Sequence, residues 1–173
     1  AGISVASLKE WLEDFDRVVR VMPNIPISVG AGMCMICETE DISREELAEV
    51  VKIFESFGAV EVLEEKHINA FISIAGSSPA YIFMLIEAMA DGGVLLGLTR
   101  NVAYKLAAQS VLGSAKMVLD TGAHPGVLKD MVTSPGGTTI EAVAALEKCG
   151  LRSGMIEAVR ACYEKCETMA AKK

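Results

Sequence analysis

Short blocks of apolar residues, each closed by a polar cluster or a turn signal, fill the first third of the chain. Ser4 or Ser7 can cap a helix that starts at residue 7 and runs through Trp11 and Leu12. Residues 17–22, rich in valine, read as a buried strand that stops at Pro23-Asn24-Ile25-Pro26. Residues 30–37 give a second strand. Ser43 and Glu46 have the spacing of a capping box, and the helix they open runs to Phe57 and stops at Gly58. Residues 60–63 give a third short strand. Helix and strand therefore alternate over residues 1–64, an α/β pattern too short to close a doubly wound sheet and similar to the back half of one.

Beyond Glu64 the period becomes helical. Residues 66–74 lead into Gly76-Ser77-Ser78-Pro79, where Ser78 can cap and Pro79 fits the first helical position. The helix over residues 79–96 would be about 27 Å long. Its first half is apolar all round, which predicts burial on every side. Gly92, Gly93 and Gly97 offer surfaces for a close helix contact. Thr99 or Asn101 caps a helix over 102–121, and His124-Pro125-Gly126 breaks it. A short helix over 127–131, a loop at 134–139, a helix over 140–148 ended by Gly150, and a last helix over 153–170 complete the chain. The predicted class is an α/β remnant followed by an all-α domain, mostly helical overall, with the boundary at residues 64–66.

Composition narrows the function classes. The 173 residues are 51% hydrophobic and 23% charged, which excludes disorder. A net charge of -7 with 5% aromatics gives neither a basic footprint nor a stacking platform for nucleic acid, and no polybasic face for a membrane surface. The excess apolar surface needs a cover. The longest apolar stretch, residues 80–86, meets Glu87 and Asp91 well short of the roughly 20 residues of a membrane span. A subunit interface is the better cover. The five cysteines read as free cytosolic thiols. Cys34 and Cys37 lie in a strand, where residues three apart point to opposite faces, so they form neither a redox nor a zinc pair.

The segment richest in chemistry is Ser134-Pro135-Gly136-Gly137-Thr138-Thr139. Glycines ahead of a helix mouth expose backbone N–H groups to a carboxylate or phosphate. The simpler reading is a turn with a threonine cap. Gly30-Ala31-Gly32 lacks the third glycine of a dinucleotide fingerprint and precedes a strand. His67 and His124 have no zinc spacing, and no other metal-ligand set stands out. Glu64 and Glu65 read as solvated unless a ribose or substrate sits beside them. Ser77 reads as packing, and Lys116 and Lys129 as charge partners for neighbouring helices.

Several linked stretches together resemble the pyrroline-5-carboxylate reductases. They are Ser77-Ser78-Pro79-Ala80-Tyr81, Glu87 through Val94, Gly97-Leu98-Thr99-Arg100, Gly113 through Met117, His124-Pro125, Leu128-Lys129-Asp130 and Ser134 through Ile140. The resemblance implies a division at residues 1–64, the C-terminal part of a Rossmann-like dinucleotide-binding domain, and residues 65–173, a helical dimerisation and substrate-binding domain. It implies NADPH- or NADH-dependent reduction of 1-pyrroline-5-carboxylate to L-proline in the cytoplasm, by a homodimer that can assemble into rings. It assigns the substrate carboxylate to Ser134, Gly136, Gly137, Thr138 and Thr139, with the Thr139 hydroxyl approaching the ring nitrogen as the catalytic contact. Glu65 and Met131 match positions near the nicotinamide cofactor, although some members carry asparagine where Met131 stands. The family's phosphate-binding loop and first strands would precede residue 1.

Two other readings stand beside this one. The chain alone would be a non-catalytic, interlocked dimerisation module, inactive without the phosphate-binding half. A reductase of another cyclic imine, or of a hydroxy acid, is the third; hydroxy-acid relatives use a helical-domain lysine, whereas Lys116 lies in the Ala-Lys-Met pattern of the imine reductases.

Overall fold

The computed structural model describes residues 2–12 and 17–170. Helix α1 (Val5–Trp11) is capped by Ser4, whose hydroxyl accepts from the Ser7 N–H at 3.0 Å. Strands β1 (Val21–Pro23), β2 (Gly32–Glu38) and β3 (Gly58–Glu64) form one sheet in that order. β1 runs antiparallel to β2, pairing Val21 with Ile36, and β3 runs parallel to β2, pairing Gly32 with Gly58. The parallel pair requires a crossover, and α2 (Arg44–Glu55) supplies it with both halves of the Ser43–Glu46 capping box formed. β1 is shorter than the valine-rich run predicts. It pairs with β2 alone among the described residues, and only the Cys37 N–H to Arg20 carbonyl bond extends the ladder below it.

Gly58 begins β3 rather than ending α2, which closes at Ser56. With φ near 150° and the Gly32 backbone against it, Gly58 has no room for a Cβ, which would lie 2.1 Å from the Gly32 carbonyl oxygen. β2 is buried on both faces, as a central strand should be. Met35 and Cys37 join Ile68, Phe71, Ile72 and Cys166 in one core cluster, while Cys34 and Ile36 are buried on the opposite face. The two thiols of the C-x-x-C therefore diverge. Burial raises the pKa of both and keeps them as neutral thiols.

From Glu65 to Leu95 the chain is helical, through a 3₁₀ turn (Glu65–His67), α3 (Ile68–Phe71), a π turn (Ile72–Gly76) and α4 (Ser78–Leu95). α4 opens at Ser78, one residue ahead of the predicted first helical position, with Pro79 in its first turn. Proline within a helix cannot donate to the carbonyl four residues back and crowds it. Here the preceding turn widens instead, with Ser77 N–H reaching the Ile72 carbonyl at 2.7 Å. The Ala75 carbonyl, left without a donor by Pro79, accepts from Asn24 Nδ2 at 2.9 Å. Asn24 Oδ1 takes the Met33 N–H at 2.9 Å, so one side chain ties the loop after β1 to β2 and to the π turn.

The remaining helices are α5 (Arg100–Thr121), α6 (Pro125–Val132), α7 (Thr138–Lys148) and α8 (Leu151–Ala170). The chain forms two compact units, one of residues up to Ala80 with those from Ile156 onward, the other of Tyr81–Met155. In the second unit Gly93 lets α4 approach α5, since a Cβ there would sit 3.2 Å from that of Ala103. Ala90, Ala103 and Ala107 are buried around this crossing. The all-round burial expected of α4 does not occur within one chain: Phe83 and Met84 are 58% and 68% exposed. By length and composition alone the helical run Glu65–Leu95 is also sufficient to cross a membrane, a property that the unbroken seven-residue stretch conceals. Its first part is committed to packing, however, with Ile68, Phe71, Ile72 and Ser73 buried in the first unit.

Candidate functional site

Every residue of the predicted substrate loop lies in the second unit, from the turn after α6 into the start of α7. The turn is closed by the Gly137 N–H donating to the Ser134 carbonyl at 3.1 Å. Gly136 sits in the left-handed region at φ 66°, where a side chain would be strained. Gly137 lies against Ser134, and a Cβ at residue 137 would meet the Ser134 hydroxyl oxygen at 2.4 Å. α7 starts at Thr138, two residues earlier than the sequence pattern predicts, so Thr138 and Thr139 occupy its first turn. Thr138 is exposed and Thr139 half-buried. The residue preceding the helix is Gly137, and no side chain caps this end. The first N–H groups of a helix have no partner within it, and the helix dipole is positive there. Three other helices are capped by a side chain: α1 by Ser4, α2 by Ser43 and α6 by His124. The geometry suits a small carboxylate held by backbone donors.

Met131, on α6, is 72% exposed and ends in solvent within this chain. Glu65 belongs to the first unit and is not simply solvated. Its Oε1 accepts from the Val5 N–H at 2.7 Å and from Arg20 Nη1 at 2.8 Å, binding the start of α1 to the strand region. Sequence spacing carries no signal for this clamp, because its partners lie 60 and 45 residues away. Beside it, the carboxyl ends of β2 and β3 frame a cleft of about 550 Å³ lined by Glu38, Thr39, Glu40, Glu64, Glu65 and Lys66. Glu64 pairs with Lys66 at 2.7 Å, which lowers its pKa. The cleft is acidic, yet among the described residues no group of histidine, cysteine and carboxylate side chains is arranged to hold a metal ion.

The other candidates take structural roles. Lys116 pairs at 2.6 Å with Asp120 on its own helix rather than a neighbouring one, and Lys129 pairs with the adjacent Asp130. The Ser77 hydroxyl accepts from or approaches the Cys162 thiol at 3.2 Å, consistent with packing. His67 is exposed beside an apolar cavity of about 420 Å³ that Met33, Leu63, Phe71 and Ile74 also line. Gly30 follows a 3₁₀ turn (Ile25–Val29) and precedes β2, so Gly30-Ala31-Gly32 opens no helix.

The pyrroline-5-carboxylate reductase dimerisation model matches residues 65–169. An Escherichia coli protein named pyrroline-5-carboxylate reductase is 51% identical over 170 residues, covering 98% of this chain and 63% of its own length. A solved pyrroline-5-carboxylate reductase from Coxiella burnetii superposes with TM-score 0.92 at 35% identity, over 98% of this chain and 63% of that one. The Plasmodium falciparum enzyme, solved with NADP bound, gives TM-score 0.87 at 33% identity, over 98% of this chain and 68% of that one. The chain thus spans somewhat less than two thirds of the length of the Escherichia coli relative. On the match of its helical part and the agreement of its fold, this chain belongs to the pyrroline-5-carboxylate reductase family.

Proposed function

We propose that this chain carries the substrate-carboxylate loop and the dimerising face of a reductase that converts 1-pyrroline-5-carboxylate to L-proline. The observation that carries the reading is the α7 mouth, where a glycine pair and no side-chain cap leave backbone donors for a ligand. In this reading Ser134, Gly136, Gly137 and Thr138 hold the carboxylate. The Thr139 hydroxyl lies at the ring nitrogen and keeps the proton of the iminium in place. The protein's contribution is orientation more than acid strength, since a protonated imine already accepts hydride.

NADPH or NADH, when bound, supplies the hydride that reduces the imine carbon. The residues present fit only part of that cofactor: Gly30-Ala31-Gly32 does not form the helix-opening turn that holds a pyrophosphate. Met131 and Glu65 are the positions proposed for the nicotinamide end. Glu65 would act with one oxygen already engaged by Val5 and Arg20. The exposed apolar residues of α4, Phe83 and Met84 among them, supply the face for a second copy, and dimers would assemble further into rings. Five free thiols suit the cytoplasm.

The loop reading is tested by titrating L-proline into the isotope-labelled chain. Saturable shifts centred on the amides of Thr138, Thr139 and Ile140 support it. Shifts confined to other parts of the molecule, or none at millimolar proline, would remove the loop as the carboxylate site.

A further inference from the structure

The sequence offers His124 only as part of the His124-Pro125-Gly126 helix break, and the proposed reaction gives it no task. Its position is nonetheless unusual. α6 is only eight residues long, and an isolated helix of that length is marginal in water. Its first turn is satisfied entirely by His124. Pro125 has no N–H to satisfy. The Gly126 N–H donates to His124 Nδ1 at 3.0 Å, and the N–H groups of Val127 and Leu128 donate to the His124 carbonyl at 2.9 and 3.3 Å. Gly126 permits the arrangement, because a Cβ there would lie 3.0 Å from Nδ1 and 3.2 Å from the next ring carbon. At the other end of α6 the Thr133 N–H and hydroxyl close on the Asp130 carbonyl at 3.1 and 3.2 Å, and the Ser134 turn follows at once.

We propose that His124 is a positioning residue: through its Nδ1 cap it fixes α6, and through α6 it sets Met131 and the Ser134–Gly137 turn in front of α7. The proposal rests on the reading of that turn as the substrate-carboxylate loop. The imidazole touches no reacting atom and works only as an acceptor. Asparagine, which also presents an acceptor at a helix N-terminus, replaces it in this role, whereas alanine does not.

The test compares His124→Ala and His124→Asn by amide hydrogen exchange across α6 and the first turn of α7, and by L-proline binding. His124→Ala is expected to speed exchange of α6 amides about tenfold and to weaken proline binding about fivefold, while exchange in α5 stays unchanged. His124→Asn is expected to restore both within about twofold. Gly126→Ala, which crowds the ring, is expected to resemble His124→Ala. Unchanged α6 exchange in His124→Ala would overturn the proposal. So would a His124→Asn variant as impaired as alanine, since the ring would then act by something other than its acceptor. If the unaltered chain binds no proline, the carboxylate reading fails on its own; the exchange comparison across α6 and the α7 start still decides whether His124 sets the turn.

Discussion

Replacing Asn24 by alanine removes a side chain that hydrogen-bonds both β2 and the π turn from the loop after β1. Two bonds are lost, Asn24 Nδ2 to the Ala75 carbonyl and the Met33 N–H to Asn24 Oδ1, each 2.9 Å. Their partners are backbone groups, and a half-buried donor or acceptor left unsatisfied costs about 1–3 kcal/mol. Water reaches part of this site, so the expected loss is about 2–3 kcal/mol. Asn24→Asp keeps the acceptor and loses the donor, and should fall between the two. Pro79 gives a second handle. With Pro79→Ala, residue 79 regains an N–H four positions after Ala75, and that carbonyl no longer depends on Asn24. The cost of Asn24→Ala should then shrink by about 1 kcal/mol, a coupling readable in a double-mutant cycle. Urea unfolding at one fixed protein concentration measures all four chains, because association contributes to apparent stability. A loss under about 0.5 kcal/mol for Asn24→Ala, or none of the expected coupling, would refute the argument that Pro79 frees the carbonyl for Asn24.

Thr139→Ala should lower kcat by one to two orders of magnitude in the assembled reductase with little change in unfolding midpoint, and Thr139→Ser should recover most of it; steady-state rates decide. Gly136→Ala forces a side chain into the left-handed region and should cost about 1 kcal/mol, read by urea unfolding, while weakening proline binding. The chain should be at least dimeric by light scattering, and Met84→Asp should shift it toward monomer, because Met84 is 68% exposed on an apolar helix. Exposed Cys149 should be alkylated first and buried Cys34, Cys37 and Cys166 last. Burial raises the pKa of Cys34 and Cys37 above the ordinary 9.0, so the folded state holds those protons more tightly than the unfolded chain. Their contribution to stability is complete below pH 9.0 and declines as pH rises beyond it, which unfolding midpoints at increasing alkaline pH would register.

Local signals were legible where local chemistry sets the structure. The Ser43–Glu46 capping box, the three strands, the glycine loop before α7 and the divergence of Cys34 from Cys37 all follow from spacing. Long-range partners were not legible. Asn24 looks like ordinary loop chemistry until the Ala75 carbonyl, 51 residues away, lacks a donor. Glu65 looks solvated until Arg20 and Val5 meet it. Ser78-Pro79 carries a helix-start pattern and α4 does begin there; what spacing does not show is the π turn just before it and the Ala75 carbonyl that Asn24 satisfies. His124 reads from the sequence only as part of a helix break; its place as the N-cap of α6, with a ring nitrogen as the acceptor, follows only from the backbone geometry.

The central claim is that the Ser134–Thr139 loop of this chain serves reduction of 1-pyrroline-5-carboxylate. The direct measurement is oxidation of NADPH by that substrate, followed by absorbance, with the chain alone and then with the N-terminal portion that its longer relatives carry added in trans. The account predicts turnover at least in the complemented sample, abolished or strongly reduced by Thr139→Ala. A complemented sample that binds NADPH yet reduces nothing, or one whose turnover ignores Thr139→Ala, would contradict it.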